Sequence, residues 1–175
     1  MKLSVRLVLM LILIAASSVR AAEPVRVGIL GFDNYQSLAF TQVWHKPPED
    51  NLDAGGLKVV AAWRGGSPDI EETQVDIKRW EPRLIEKGIS IEDSISAVLQ
   101  KCDAVIIMTI DGRAHLKVAE QALKARKPTY IGRPMAASLE DVIAIFDAAK
   151  KHDTPGFSCS QHRYSPGFLD MRNHP

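Results

Sequence analysis

The chain has 175 residues, of which 46% are hydrophobic and 25% charged, and these proportions are typical of a soluble globular domain and exclude disorder, collagen and coiled coil. Its net charge of +1 gives no general attraction to polyanions, so we expect no nucleic-acid partner. The two cysteines, Cys102 and Cys159, are too few and too far apart for a disulfide framework or a CxxC metal site, and we expect no bound metal.

The N-terminal residues have the pattern of a secretory signal. Lys2 and Arg6 give a basic start, an unbroken apolar run of ten residues covers Leu7–Ala16, and Ala21 is a small residue at the expected cut. Ten apolar residues are too few for a membrane-spanning helix, which needs about twenty; an uncleaved anchor is the alternative. We therefore predict a signal peptide over residues 1–21, export to the periplasm or the cell exterior, and no membrane span after cleavage.

Beyond this segment, short β-rich runs alternate with helical patterns. In chain order the sequence predicts strand Val25–Leu30, helix Gln36–Val43, strand Leu57–Trp63, helix Lys78–Lys87, helix Ser94–Lys101, strand Asp103–Ile110, helix His115–Ala125, strand Pro128–Ile131, helix Leu139–Lys151 and strand Gly156–Cys159. Gly65–Glu72 is polar and contains Gly and Pro, so we predict a loop there. Strands alternating with helices predict an α/β fold with a doubly wound parallel sheet.

The turn after the first strand lies where a dinucleotide-binding fold has its glycine fingerprint. Gly31 takes the first glycine position, and Asp33 and Gln36 occupy the second and third. The second glycine lets pyrophosphate approach the backbone, and a carboxylate there would repel it unless a cation or an altered loop intervened. A plain tight turn is the alternative. We keep Gly28, Gly31 and Asp33 as cofactor-binding candidates.

The end of the second strand usually carries an acidic residue for the adenosine ribose of NAD. Arg64 stands at that place in this chain. An arginine there suits the 2′-phosphate of NADP, and a solvated loop arginine is the alternative. Arg64 is therefore a further cofactor-binding candidate.

Four stretches together resemble a known family: VRVGILG, KVVAAW, DAVIIMTIDGRAHLKVAEQALKARKPTYIGRPMAAS and HDTPGFSCSQHRYSPGF. They look like the N-terminal half of the Gfo/Idh/MocA oxidoreductases, the family of glucose-fructose oxidoreductase and inositol dehydrogenase. The resemblance covers about Val25 to Phe168. Its most specific part reads H-x-x-x-A-x-x-A-L-x-A-G-K-x-x-x-x-E-K-P-x-A in the family, and the matching residues here are His115, Ala119, Ala122, Leu123, Ala125, Lys127, Pro134 and Ala136.

The resemblance assigns roles to residues of this chain. The family's Glu-Lys-Pro motif has a lysine near the nicotinamide and the substrate; here Arg133 takes that catalytic position, with Pro134 beside the cofactor. Arg133 keeps a cation but is effectively never deprotonated, so it cannot relay a proton; a surface arginine is the alternative. Asp111 matches a cofactor-contacting position. His115 and Arg163 are substrate-side candidates, although His115 could instead be a capping or packing histidine.

The resemblance also implies an organisation and a function. Residues 22–160 would form a Rossmann-like dinucleotide-binding domain, and residues 161–175 the start of the family's second, β-sheet domain, which is otherwise absent from the sequence. The chain would then be a fragment, a degenerate descendant, or one half of an assembly in which a homo-oligomer or a partner chain supplies that domain. The expected function is NAD- or NADP-dependent oxidation or reduction of a CH–OH group in a sugar or polyol such as a cyclitol. A noncatalytic exported ligand-binding or assembly module is the alternative.

Overall fold

The computed structural model describes residues 23–50 and 55–173, so the predicted signal peptide lies outside the described residues. Strands and helices alternate along almost the whole of this range. The strands are β1 (Val25–Leu30), β2 (Leu57–Trp63), β3 (Ser90–Glu92), β4 (Ala104–Ile107), β5 (Thr129–Ile131) and β6 (Gly156–Ser158). The helices are α1 (Gln36–His45), α2 (Glu71–Glu86), α3 (Ile95–Lys101), α4 (Gly112–Lys124), α5 (Leu139–Lys151) and α6 (Pro166–Asn173), with a 3-10 helix at Gln161–Tyr164.

The six strands form one sheet in the order β3-β2-β1-β4-β5-β6, and every pairing is parallel. The direction of winding reverses between β1 and β4. This is the strand order of dinucleotide-binding doubly wound folds, and ligands of such sheets bind beyond the carboxyl ends of the strands at the reversal. The predicted fold class is therefore confirmed.

Helices cover the sheet on two faces, each with its own apolar cluster. One cluster joins the sheet to α3, α4 and α5 through Val98, Leu123 and Ile145. The other joins it to α1 and α2 through Leu38 and Leu84. A parallel sheet buried on both faces needs consecutive apolar residues, and this requirement explains the run at Ala104–Ile107. None of the described helices is both long and apolar enough to cross a bilayer.

Three of the helices begin with a side-chain cap. Ser94, Asp111 and Ser138 each accept a hydrogen bond from a backbone N–H of the first turn of α3, α4 and α5. Such caps satisfy donors that have no partner inside the helix. The cap of α4 is a carboxylate, and it lies at the edge of the sheet where ligands are expected.

The elements differ from the sequence predictions in several places, and α4, for example, begins at Gly112 and not at His115. Helix α2 begins at Glu71, within the predicted loop. Thr73, Ile77 and Leu84 lie on one buried face, which extends the helix towards the N-terminus beyond the predicted start at Lys78. The short strand β3 was not predicted from the sequence. Strand β4 ends at Ile107 and not at Ile110, because the backbone N–H of Ile110 donates to Asp33 and no longer to a neighbouring strand.

Candidate functional site

A cleft of about 270 Å³ opens at the carboxyl ends of β1, β4 and β5, beside the point where the strand order reverses. It is bordered by the loops that follow these three strands. The lining residues are Asn34, Tyr35, Gln36, Met108, Thr109, Ile110, Gly132 and Arg133. This position is where open α/β sheets bind their ligands.

The turn after β1 packs against two other loops with almost no space between the backbones. Gly31 has a φ of +88°, in the region that favours glycine. A Cβ built on Gly31 would lie 2.9 Å from the backbone nitrogen of Thr109, and a Cβ on Gly65 would lie 2.7 Å from Cα of Gly31. The loops after β2, β1 and β4 therefore touch in that order across the end of β1, and glycine at both positions makes this contact feasible.

Asp33, at the second position of the fingerprint, is completely buried. Its carboxylate accepts a hydrogen bond from Oγ1 of Thr109 at 3.2 Å and another from the backbone N–H of Ile110 at 3.1 Å. Burial raises the pKa of the Asp33 carboxyl above its ordinary value, although the hydrogen bonds from Thr109 and Ile110 act in the opposite direction. The Asp33 carboxylate therefore binds the loop after β4 and does not line the cleft.

Polar groups at the start of α1 border the cleft. Oδ1 of Asn34 accepts a hydrogen bond from the backbone N–H of Gln36 at 2.9 Å, and its Nδ2 donates to the carbonyl of Met108. Tyr35 is exposed beside it. The hydroxyl of Ser37 is buried and has no hydrogen-bond partner among the described residues. The turn thus places the amide of Asn34 and the phenol of Tyr35 beside the cleft. In the glycine fingerprint of a dinucleotide-binding fold, glycines leave the backbone of this turn uncovered.

Gly28 lies within β1, away from the cleft. A Cβ at this position would lie 2.5 Å from Cγ1 of Val98 and 2.9 Å from Sγ of Cys102, both on the neighbouring helix α3 or at its end. The glycine therefore allows α3 to approach the sheet closely. Its proposed contact with a cofactor stays a prediction.

The Arg64 side chain points towards α2. Its Nε donates to one oxygen of Glu81 at 2.7 Å and its Nη2 to the other at 2.5 Å, while Nη1 lies 3.7 Å from Asp93. The bidentate contact with Glu81 holds the pKa of the guanidinium above its ordinary value. The carboxylate of Glu81 would compete with a 2′-phosphate for this side chain, and the NADP role of Arg64 stays a prediction.

Asp111 is the centre of a group of four side chains that joins two loops. Ser67, in the loop after β2, donates its hydroxyl proton to Oδ2 of Asp111. Arg113 donates from Nε at 2.9 Å and from Nη2 at 2.8 Å to the same carboxylate, and from Nη1 at 2.9 Å to Asp69. The hydrogen bonds from Arg113 hold the pKa of Asp111 well below its usual range. We call Ser67, Asp69, Asp111 and Arg113 the loop bridge.

His115 is completely buried near the start of α4. Its Nε2 lies 2.8 Å from the carbonyl oxygen of Thr109, and its Nδ1 lies 3.1 Å from that of Met135. The ring therefore connects the loop after β4 to the loop after β5. It has no exposed surface to offer a substrate in this structure, and its substrate contact stays a prediction.

Arg133 and Pro134 follow β5, and both are exposed. Arg133 lines the cleft, and the peptide bond between the two residues is cis. Arg163, in contrast, lies in the 3-10 helix after β6 and is exposed outside this cleft. Arg133 thus lines this cleft, Gly31 and Asp33 lie in the turn beside it without lining it, and Arg163 lies apart from it.

Sequence reasoning missed the partners of Asp111. Ser67 and Asp69 fall in the stretch predicted as an ordinary loop, and Arg113 had no assigned role. The proximity of the two loops was partly predictable, because the Gly65-Gly66 turn after β2 lies at the same edge of the sheet as Asp111. Their actual pairing depends on the order of the strands, which the sequence does not state.

A second cleft, of about 450 Å³, lies away from the carboxyl edge and is almost entirely apolar. Aromatic rings border it, with Phe40 stacked on Trp44 and Tyr130 edge-on to Phe157. Such a lining lacks the donors needed to orient a charged nucleotide. Within residues 23–50 and 55–173, no three His, Cys, Asp or Glu side chains are grouped so as to hold a metal ion.

The family comparison agrees with this geometry. The model of the GFO_IDH_MocA oxidoreductase family, described by its NAD-binding Rossmann fold, matches residues 25–158. This chain belongs to that family. The match includes all six strands and confirms the predicted cofactor class, NAD or NADP. Comparison with curated protein sequences gave no match.

Solved structures share the fold over most of this chain. An NAD-binding protein from Listeria innocua is 24% identical over 85% of the chain, with a TM-score of 0.63. The WlbA dehydrogenase from Chromobacterium violaceum, in complex with NADH and UDP-GlcNAcA, is 17% identical over 87%, with a TM-score of 0.66. Myo-inositol 2-dehydrogenase from Lactobacillus plantarum is 17% identical over 86%, with a TM-score of 0.62. The chain spans 39%, 40% and 40% of their lengths, respectively.

The residues around the first cleft fit the nicotinamide end of such a cofactor. Glycine at position 31 keeps the turn after β1 tight, and the buried Asp33 adds no free charge to the cleft wall. The start of α1 supplies donors and a positive helix end, which suit a phosphate. Asn34, Ile110 and Arg133, which line the cleft, are the residues that would hold the group there.

Proposed function

We propose that this chain forms the nucleotide-binding part of an NAD(P)-dependent oxidoreductase that acts on a CH–OH group of a sugar or cyclitol. The observation that carries the proposal is the cleft between the ends of β1, β4 and β5, which has an exposed arginine at its border. Binding at the reversal of a parallel sheet places a ligand next to Arg133. No observation on the described part of the chain favours a noncatalytic module.

Arg133 would hold the substrate. NAD(P), when bound, accepts the hydride from the carbon of the CH–OH group or returns it in the reverse direction. The guanidinium has a fixed charge and several donors, so it can bind a hydroxyl or carboxylate oxygen through charge-assisted hydrogen bonds. It cannot accept the hydroxyl proton that oxidation releases.

The proton acceptor would come from outside the described residues. The cleft lining contains no carboxylate and no imidazole. Asp33 and His115 are near in sequence to lining residues, but both are completely buried. We therefore propose that a second domain covers the cleft and supplies the acid-base group.

Titration of the chain with NADH and with NADPH tests cofactor binding. We expect saturable binding with a Kd of about 1 mM, or about −4 kcal/mol, because one domain alone leaves the cofactor open to water. Absence of binding of both cofactors at several millimolar contradicts the proposal. A preference for NADPH would support a ligand role for Arg64.

The role of Arg133 is tested with a carboxylate sugar such as glucuronate, titrated in the presence of NADH. We expect Arg133→Ala to weaken its binding by about 1–3 kcal/mol, the range for a lost charge-assisted hydrogen bond. Arg83→Ala is the matched control, since Arg83 is an exposed arginine on α2, far from the cleft lining. Equal affinity of both variants would remove Arg133 from the site.

We also propose that the protein is exported after cleavage between Ala21 and Ala22. The basic start, the short apolar run and the small residue before the cut support this proposal. N-terminal sequencing of protein recovered from the periplasm or the medium should begin at Ala22. Recovery of cytosolic protein that begins at Met1 would contradict it.

A further inference from the structure

We propose that the loop bridge of Ser67, Asp69, Asp111 and Arg113 closes the adenosine half of the crevice, so that a complete dinucleotide binds only when the outer part of the bridge opens. The inference rests on the proposed function, and it makes these four residues determinants of which nucleotides bind. The nicotinamide half, beside Arg133, stays open.

The position of the bridge follows from the strand order. Ser67 and Asp69 lie in the loop after β2, while Asp111 and Arg113 lie at the start of α4, after β4. Strand β1 lies between β2 and β4 in the sheet. The bridge therefore crosses the carboxyl end of β1, where the backbone at Gly31 already touches both loops.

That crossing lies where a dinucleotide-binding fold receives the adenosine. In such folds the pyrophosphate lies against the turn after the first strand, and the residue at the end of the second strand holds the ribose. Access to the ribose position requires space between the loop after β2 and the loop after β4. The side chains of the bridge span that space.

The bridge has a firm inner part and a weak outer part. Ser67 and Asp111 are buried, and the hydrogen bond between them lies inside the protein. The outer contact joins Arg113, whose side chain is 56% exposed, to Asp69, which is 63% exposed. Exposed ion pairs are weak because water and salt screen them, so this contact can open without unfolding the loops.

The other half of the crevice needs no such opening. Its cleft of about 270 Å³ is lined by residues after β1, β4 and β5, and none of the four bridge residues belongs to that lining. A mononucleotide that carries only the nicotinamide end would therefore bind without disturbing the bridge. A substitution that weakens the bridge should therefore change the affinity for a dinucleotide and leave the affinity for the mononucleotide unchanged.

The test compares NADH with reduced nicotinamide mononucleotide on four versions of the chain. Asp69→Ala removes the outer contact and leaves Asp111 paired with Arg113. Asp69→Asn removes the same charge but keeps an oxygen that can accept from Arg113. Asp147→Ala is the matched control, since Asp147 is an exposed carboxylate on α5 that belongs neither to the bridge nor to the lining of the cleft.

We expect Asp69→Ala to tighten NADH binding about fivefold, which corresponds to about 1 kcal/mol, the upper value for an exposed ion pair. Binding of the mononucleotide should not change, and Asp69→Asn should give a smaller gain than Asp69→Ala. Because the control removes one carboxylate without touching the bridge, it should leave both affinities unchanged.

Three results overturn the inference: NADH binding that does not tighten in Asp69→Ala, an equal gain for the mononucleotide, or an equal gain in the Asp147→Ala control. In each of these cases the proposed function stands, because the parent chain still binds both nucleotides. If neither nucleotide binds to any version, the proposed function fails and the inference fails with it.

Discussion

Replacement of Gly28 by alanine tests whether this glycine serves packing or cofactor binding. The added Cβ would lie 2.5 Å from Cγ1 of Val98 and 2.9 Å from Sγ of Cys102. Carbon atoms in protein interiors prefer separations of about 3.5–4.0 Å, so α3 would have to move outward by about 1 Å. Overpacking of this kind typically costs about 1–3 kcal/mol.

We therefore expect Gly28→Ala to lower the free energy of unfolding by about 2 kcal/mol, and the Tm by about 4–8 °C for a chain of this size. The measurement is urea unfolding followed by circular dichroism, with unchanged m-values. In a Val98→Ala background the same substitution should cost less than about 1 kcal/mol, because the nearest contact is gone. Binding of NADH per folded molecule should be unaffected.

Gly167→Ala is the matched control. Gly167 lies in α6 with no atom within 4 Å of its hypothetical Cβ, so alanine there should be neutral or stabilising by up to about 1 kcal/mol. If Gly28→Ala is as stable as the parent chain and instead weakens NADH binding, the packing argument is refuted and Gly28 returns to the cofactor site.

Three further outcomes follow from individual side chains. His115→Leu should lose about 1–3 kcal/mol of stability in urea unfolding, because the ring N–H no longer donates to the backbone carbonyl of Thr109 or Met135; unchanged stability would contradict this structural role. Arg26 donates to Asp103 and lowers the pKa of its carboxyl to about 2, so this pair stabilises the fold above pH 4 and the contribution is lost as the pH falls towards 2. Arg26→Ala should accordingly flatten the dependence of the urea midpoint on pH between 4 and 2, and an unaltered pH profile would count against the pair. Burial raises the pKa of the Cys102 thiol, so a thiol reagent at pH 8 should modify Cys159 in the native chain and reach Cys102 only after unfolding.

Much of the fold was predictable because local patterns and tertiary packing agree. The consecutive apolar residues at Val105–Ile107 fit a strand buried on both faces, and Ser138 with its following acidic residues fits a helix start. Strand β3 escaped prediction because its three residues are only half-buried and have little apolar character. The early start of α2 was missed because Pro and Gly just before it indicated a loop.

The site was less predictable than the fold, because the role of a polar side chain depends on partners that are distant in sequence. Asp111 was recognised, but Ser67, which donates to it, and Asp69, which accepts from Arg113, lie more than 40 residues earlier in the chain and reach this group only across β1. Arg64 was interpreted from its position after β2, whereas Glu81 on α2 determines where its guanidinium points. For His115, nothing in the sequence indicates which backbone carbonyl groups its two ring nitrogens contact.

Asp33 shows how the altered fingerprint changes the chemistry of the first turn. The sequence alone suggested that its carboxylate repels pyrophosphate, so that Asp33→Gly would tighten cofactor binding if repulsion were the obstacle. In the structure the carboxylate is buried and accepts from Thr109 and Ile110, both in the loop after β4. Glycine would leave these two donors without an acceptor at a cost of about 1–3 kcal/mol, and the loop that borders the cleft would lose its attachment to the turn. We therefore expect Asp33→Gly to lower stability in urea unfolding and to leave NADH affinity unchanged or weaker. A stable Asp33→Gly chain that binds NADH more tightly would show that charge at the second fingerprint position, and not the shape of the loops, limits the binding of the cofactor.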